Sequence, residues 1–175
     1  MSSSAEILDH AVAVLGRGEA LTFDAVAREA GLTKPGVVHH FATKEILTAS
    51  VVGRVIDRWE AGLTAHAHDA DGAVERLRAY VDYALAGDFD LSDFAFMVDV
   101  RIRDQLSQQW TERLHPWFGL DITGTATQRA ALRAARLIAD GAWFNDSLAI
   151  PTLRDDERDA VIAIAHRLVT EGTAA

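Results

Sequence analysis

Apolar residues recur at three- and four-residue intervals along most of the chain, a spacing that predicts helices separated by short breaks. Ser3 and Glu6 form a capping box ahead of Ile7, Leu8, Ala11, Val12, Val14 and Leu15, and Gly16 and Gly18 stop that helix. Thr22 is placed to cap the next one, with Asp24 in the first turn and Phe23, Val26, Ala27 and Ala30 on the buried face. Gly31 suits the left-handed conformation that lets a chain turn sharply after a helix. Thr33 caps a short helix whose first turn tolerates Pro35, because no backbone donor is needed there. Val37, Val38 and Phe41 are its candidate core positions. Thr43 caps a long helix from Lys44 to about His66, along which Leu47, Val51, Val55, Trp59 and Leu63 recur every four residues.

The pattern stays helical from there. A turn at Asp69–Gly72 precedes a helix striped by Val74, Leu77, Val81, Ala84 and Leu85 that ends near Gly87. Leu91 to about Val100 is a short apolar piece, and Asp104–Phe118 reads as one helix carrying Leu106, Trp110, Leu114, Trp117 and Phe118. A loop follows at Gly119–Gly124. Then come an Ala-rich helix over Thr125–Leu148, a linker closed by Pro151, and a last helix over Arg154–Thr170. Neither strand alternation nor an internal repeat interrupts this series. The predicted architecture is all-α: an N-terminal three-helix module with a helix-turn-helix, then an orthogonal or antiparallel helical bundle, about nine helices in all. The expected domains are residues 1–46 and residues 47–175.

The helix, sharp turn and short helix between Phe23 and Phe41 form a layout in which the first helix braces the second for entry into a DNA major groove. Charge complicates that reading. The chain carries a formal net charge of −9, and phosphate contacts favour basic surfaces. Residues 1–60 hold 6 Lys/Arg against 8 Asp/Glu, however, while residues 61–175 hold 11 against 18, so the acidity is concentrated C-terminally. Between Thr33 and Lys44 there is no acidic residue, and a DNA-binding face needs a local positive field rather than a basic protein.

Four pieces of this stretch stand at set spacing across two helices and the start of a third: Val26-Ala27, Ala30-Gly31-Leu32-Thr33, His40-Phe41 and Thr43-Lys44-Glu45. Over roughly residues 5–50 the chain resembles the TetR family of one-component bacterial repressors. It departs at three positions. Pro35 stands where the family usually has Gly, Gly36 where a small β-branched residue or Ala is usual, and Val38 where Tyr is frequent. The resemblance implies operator contacts by Thr22, Thr33, Lys34, Pro35, Gly36, Val37, His39, His40 and Lys44. Physical roles follow residue by residue. Helix N-termini and threonine hydroxyls bind phosphate, and Lys34 and Lys44 supply cations. Gly36 permits close backbone approach, Val37 offers a methyl to thymine, and the histidines donate hydrogen bonds.

The resemblance also implies a small-molecule effector site and a dimer in the C-terminal part, with the ligand shifting the population away from the DNA-bound form. Trp59, Phe94, Met97, Arg101, Trp110, Leu114, Trp117, Trp143 and Asn145 are the candidate lining, with Gln109 and His115 as further polar groups and Phe96 and Phe144 as further rings. An aromatic at helical spacing serves a core as readily as a pocket. Small residues over a wide arc of the Ala-rich helix, with the apolar side of the last helix, suggest a two-fold four-helix bundle through Ala131, Ala135, Ile138, Ala142, Val161, Ala165 and Leu168.

Other chemistry is poorly supported. The chain has no cysteine, so it offers no disulfide or thiolate metal site. His66 and His68 beside Asp69 and Asp71 make a weak metal motif, and no phosphate loop, nucleophile elbow or zinc-protease helix is present. The expectation is a non-enzyme that needs no cofactor or metal. Neither a signal peptide nor a membrane span is evident, and the default location is the bacterial cytoplasm. The expected function is a ligand-responsive repressor that binds palindromic double-stranded operator DNA as a homodimer and is released by a small apolar or aromatic effector. The competing expectation is a helical small-molecule-binding or interaction protein that has lost DNA affinity.

Overall fold

The computed structural model describes residues 3–67, 72–151 and 153–174. They form eight α-helices and two 3-10 turns, with no strand among the described residues. The helices are α1 (Ser4–Gly16), α2 (Phe23–Glu29), α3 (Lys34–His40), α4 (Lys44–His66), α5 (Ala73–Ala86), α6 (Arg103–Leu114), α7 (Ala126–Ser147) and α8 (Asp155–Thr173). The 3-10 turns are Leu91–Met97 and His115–Trp117. The starts follow from local chemistry. Ser3 and Glu6 close a reciprocal capping box on α1, and Thr125 and Gln128 close another on α7. The helix expected over Asp104–Phe118 is shorter: α6 stops at Leu114, because Pro116 has no N–H to donate and its ring clashes with a helical carbonyl. The expected turn at residues 69–71 and the metal motif that includes His68 lie outside the described residues.

The described residues divide into two compact units that do not follow chain order. The first comprises residues up to Arg58 together with Phe89–Arg113; the second comprises Trp59–Asp88 and the chain from Leu114 onward. The division falls inside α4 and again inside α6.

In the first unit α1 packs on α2 and on the Leu91–Met97 turn, and α2 packs on α3. Ile7, Ala11 and Val14 of α1 share the core with Val26 of α2, Val37 of α3 and Leu47, Val51, Val55 and Ile56 of α4. Three ion pairs fasten the later segment to α4: Glu45–Arg101 at 3.1 Å, Asp57–Arg113 at 2.8 Å and Arg58–Asp93 at 2.8 Å. Asp93 is fully buried, and its second oxygen accepts from the Asp90 backbone N–H at 2.9 Å, so the carboxylate is satisfied on both sides.

In the second unit α5 packs on α7 and α8, α7 packs on α8, and the His115–Trp117 turn sits on α5. Small residues are buried on both α7 (Ala135, Ala139 and Ala142) and α8 (Ala165), and the two helices approach closely where a Cβ at Gly172 would meet Leu132 Cγ at 2.5 Å. No helix of the described residues is long and apolar enough to cross a membrane.

Candidate nucleic-acid interface and effector unit

Three threonines start the helices around the turn. Thr22 Oγ1 accepts from Ala25 N at 3.0 Å, Thr33 Oγ1 from Gly36 N at 3.2 Å and Thr43 Oγ1 from Ile46 N at 3.2 Å. A threonine hydroxyl that accepts in this way still has its own proton to donate, and Thr43 turns its hydroxyl toward the Glu45 carboxylate. Gly31, at φ +63°, makes the left-handed turn between α2 and α3 without the Cβ clash another residue would meet. The outward surface of α3 carries Lys34, Pro35, Val38 and His39, all exposed. Val37 points the other way: it is fully buried in the core of the module. Its proposed contact with a thymine methyl is therefore corrected, since the side chain is consumed by packing, and Val38 is the outward valine. His40 is also partly engaged, because its Nδ1 and the Ser4 hydroxyl of α1 lie 2.9 Å apart in a hydrogen bond. His39 meets the His40 ring edge-on at 5.7 Å.

The cations of this unit are largely matched by carboxylates. Lys34 Nζ lies 2.9 Å from Asp24. Arg17 bridges Glu19 and Glu29, Arg28 holds Glu19, and Arg54 holds Asp9. The Arg101 side chain, then its backbone N–H, hold the Asp99 carboxyl at about 2, well below the usual aspartate value. Lys44 is exposed and forms no salt bridge within 4.0 Å among the described residues.

The second unit encloses a cluster of rings. Trp59, fully buried on α4, meets Tyr83 edge-on at 5.1 Å, Trp143 edge-on at 5.4 Å and Tyr80 tilted at 6.1 Å. Phe118 abuts Tyr80 at 5.5 Å, and the Arg136 guanidinium lies 3.8 Å above the Phe118 ring. Such edge-on and cation–π geometries add about 0.5–1.5 kcal/mol each beyond area burial. Polar groups converge here as well. Tyr80 donates to Asp140 Oδ1 at 2.6 Å, and Arg136 Nε sits 3.3 Å from Asp140 Oδ2, off the angle a hydrogen bond requires. Burial, then the Asp140 charge, push the Tyr80 hydroxyl well above the usual tyrosine value.

Two family models match the sequence: "Bacterial regulatory proteins, tetR family" over residues 7–51 and "Tetracyclin repressor-like, C-terminal domain" over residues 74–170. The chain belongs to the TetR family. As a TetR-family protein it is a transcriptional regulator rather than an enzyme, with a DNA-binding helix-turn-helix and a ligand-binding C-terminal domain. Its fold is similar to that of the multidrug binding protein EbrR. The structure of EbrR complexed with malachite green matches with a TM-score of 0.61 and 20% identity, covering 95% of this chain and 98% of that one. The EbrR complex with imidazole matches with the same score and identity over 96% of each chain. At this identity the likeness speaks for the fold. No curated protein matches the sequence.

The residues expected to line an effector pocket in this TetR-family regulator fall into both units. Phe94, Met97, Arg101 and Trp110 belong to the first. There Trp110 stacks at a tilt on Phe96 with centroids 4.9 Å apart, Met97 is half exposed, and Arg101 is committed to Asp99 and Glu45. Trp59, Leu114, Trp117, Trp143 and Asn145 belong to the second. Of these the structure brings Trp59 and Trp143 into contact, buries Leu114, and uses the Asn145 amide to donate to Gly141 O at 2.6 Å within α7. Sequence reasoning passed over Tyr80, Tyr83, Phe118, Arg136 and Asp140. A signal existed in Arg136 and Asp140 at i,i+4, but that spacing ordinarily marks a solvated pair.

Among the expected dimer residues, Ala135, Ala142 and Ala165 are already buried within the single chain, and Ala131, Ile138, Val161 and Leu168 are half-buried. The outward apolar surface of α7 and α8 instead shows Leu137, 68% exposed, with Phe144, Leu148 and Ile164.

Proposed function

We propose that the protein represses transcription by binding operator DNA as a homodimer and leaves the operator when a small apolar or aromatic molecule occupies the C-terminal domain. The observation that carries the reading is the surface of α3. The stretch from Thr33 to Lys44 holds no acidic residue, α3 presents Lys34 and His39 outward with the exposed Lys44 following at the start of α4, and α2 braces α3 across the Gly31 turn. Thr22, Thr33, Lys34, Pro35, Gly36, His39 and Lys44 are the proposed contacts. Phosphate-directed groups set register, and the small Gly36 lets the backbone approach base edges. The working division is residues 1–46 for reading DNA and residues 47–175 for ligand binding and pairing.

The aromatic effector is supported by the aromatic interior of the second unit, where Trp59, Tyr80, Tyr83 and Trp143 pack on one another beside the polar Tyr80–Asp140–Arg136 group. A protein of the same fold binds malachite green. For the dimer, the outward surface of α7 around Leu137 and Gly141, with Ile164 of α8, is the proposed mating face. Two readers on a two-fold axis suit a palindromic operator.

A gel shift with a duplex spanning the promoter region beside its own gene tests the reading. Sequence-specific, salt-sensitive binding that weakens in Lys34→Ala and Lys44→Ala is the expected result. The second reading, a ligand-binding protein without DNA affinity, draws on the carboxylates paired with the cations of the first unit. Absence of binding at low salt without effector would favour it.

A further inference from the structure

We infer that Asp24 competes internally with operator phosphate for Lys34, so that the Lys34–Asp24 ion pair holds DNA affinity below what the reader's cations allow; this rests on the operator-binding reading above. Lys34 is the first residue of α3, and Asp24 lies in the first turn of α2. Their side chains meet at 2.9 Å while remaining 54% and 68% exposed. The pair is therefore open to solvent and exchangeable. A phosphate oxygen that takes Lys34 must displace the carboxylate, so the two acceptors compete for one cation.

The fold does not need this carboxylate. Thr22 caps α2 through its hydroxyl, which accepts from Ala25 N, Asp24 takes part in no hydrogen bond other than the one from Lys34 among the described residues, and Ala25, Val26 and Ala27 carry the packing. Asp24 does favour the positive end of α2, a contribution a neutral amide partly retains. The other paired cations of this unit are arginines outside α3. Lys34 is the recognition helix's own cation, which makes its partner the acid best placed to tune DNA binding.

The test uses the full chain and a duplex selected by the wild-type protein from a random-sequence library, with affinity read by fluorescence anisotropy at several salt concentrations. Exposed ion pairs are individually weak, but a dimer carries two of them, so Asp24→Asn is expected to bind about three- to tenfold more tightly near 0.1 M salt. The gain fades as salt screens the competition. Lys34→Ala binds more weakly than wild type, and adding Asp24→Asn to it restores little, because the carboxylate then has no cation to sequester. Asp24→Ser serves as a second neutral variant, and circular dichroism melts establish that each protein is folded. Binding by both neutral variants within twofold of wild type overturns the inference. So does an equal gain in the Lys34→Ala background, which would make Asp24 a general repulsive charge rather than a competitor. If the folded wild type selects no duplex, the operator-binding reading falls, and the inference with it.

Discussion

Replacing Tyr80 by phenylalanine removes one oxygen atom from the interior of the second unit and leaves the ring in place. The edge-on contact with Phe118 and the tilted contact with Trp59 need only the ring, so both persist. What is lost is the 2.6 Å hydrogen bond to Asp140. A hydrogen bond to a charged partner is worth about 1.5–3 kcal/mol net. Asp140 is 29% exposed and retains Arg136, so water and the guanidinium recover part of the loss. About 1.5 kcal/mol is the expected cost, equivalent to a fall of about 3–6 °C in melting temperature for a chain of this size. A pH signature accompanies it. The folded-state pKa of Tyr80 is raised above its unfolded value, so its contribution is complete below about pH 10 and is lost as pH rises from there toward the folded value, where the unfolded chain sheds the proton first. Wild type should therefore lose stability above about pH 10 more steeply than Tyr80→Phe. Differential scanning calorimetry across pH 7–11 measures both effects. Identical melting of the two proteins at pH 7, or identical alkaline slopes, would refute the assignment of Tyr80 as a buried donor to Asp140.

Three further outcomes follow from the geometry. Gly62→Ala would place a Cβ 2.2 Å from Tyr83 Cε2, forcing that ring off Trp59; instead of the gain of about 1 kcal/mol usual for Gly→Ala in a helix, a net loss of about 1 kcal/mol and a changed near-ultraviolet dichroism spectrum are expected. Thr33→Ala removes the N-cap of α3 at a cost of about 1 kcal/mol and should weaken operator binding, whereas Thr33→Ser should keep both; equal behaviour of the two variants would contradict the capping role. Leu137→Glu places a charge on the exposed face of α7, and light scattering should then report a monomer of unchanged helicity; a persistent dimer would move the mating face elsewhere.

Local chemistry wrote much of this protein legibly. The capping box at Ser3 and Glu6, the threonine caps, the left-handed Gly31 and the ends of α4 and α5 all depend on a few neighbouring residues, and each stands where the sequence places it. The family's pattern across α2, α3 and the start of α4 is local in the same sense. Tertiary structure decided what faces what. Val37 and Val38 are equivalent in composition, yet a rotation of about 100° along the helix buries one and exposes the other. Alanines over a wide arc of α7 left its sidedness open, so only packing against α5 and α8 determined that Ala135 and Ala142 point inward while Leu137 points out. Tyr80, Arg136 and Asp140 come together from helices some sixty residues apart in sequence, and a helical period records that a face is buried without recording which partner covers it.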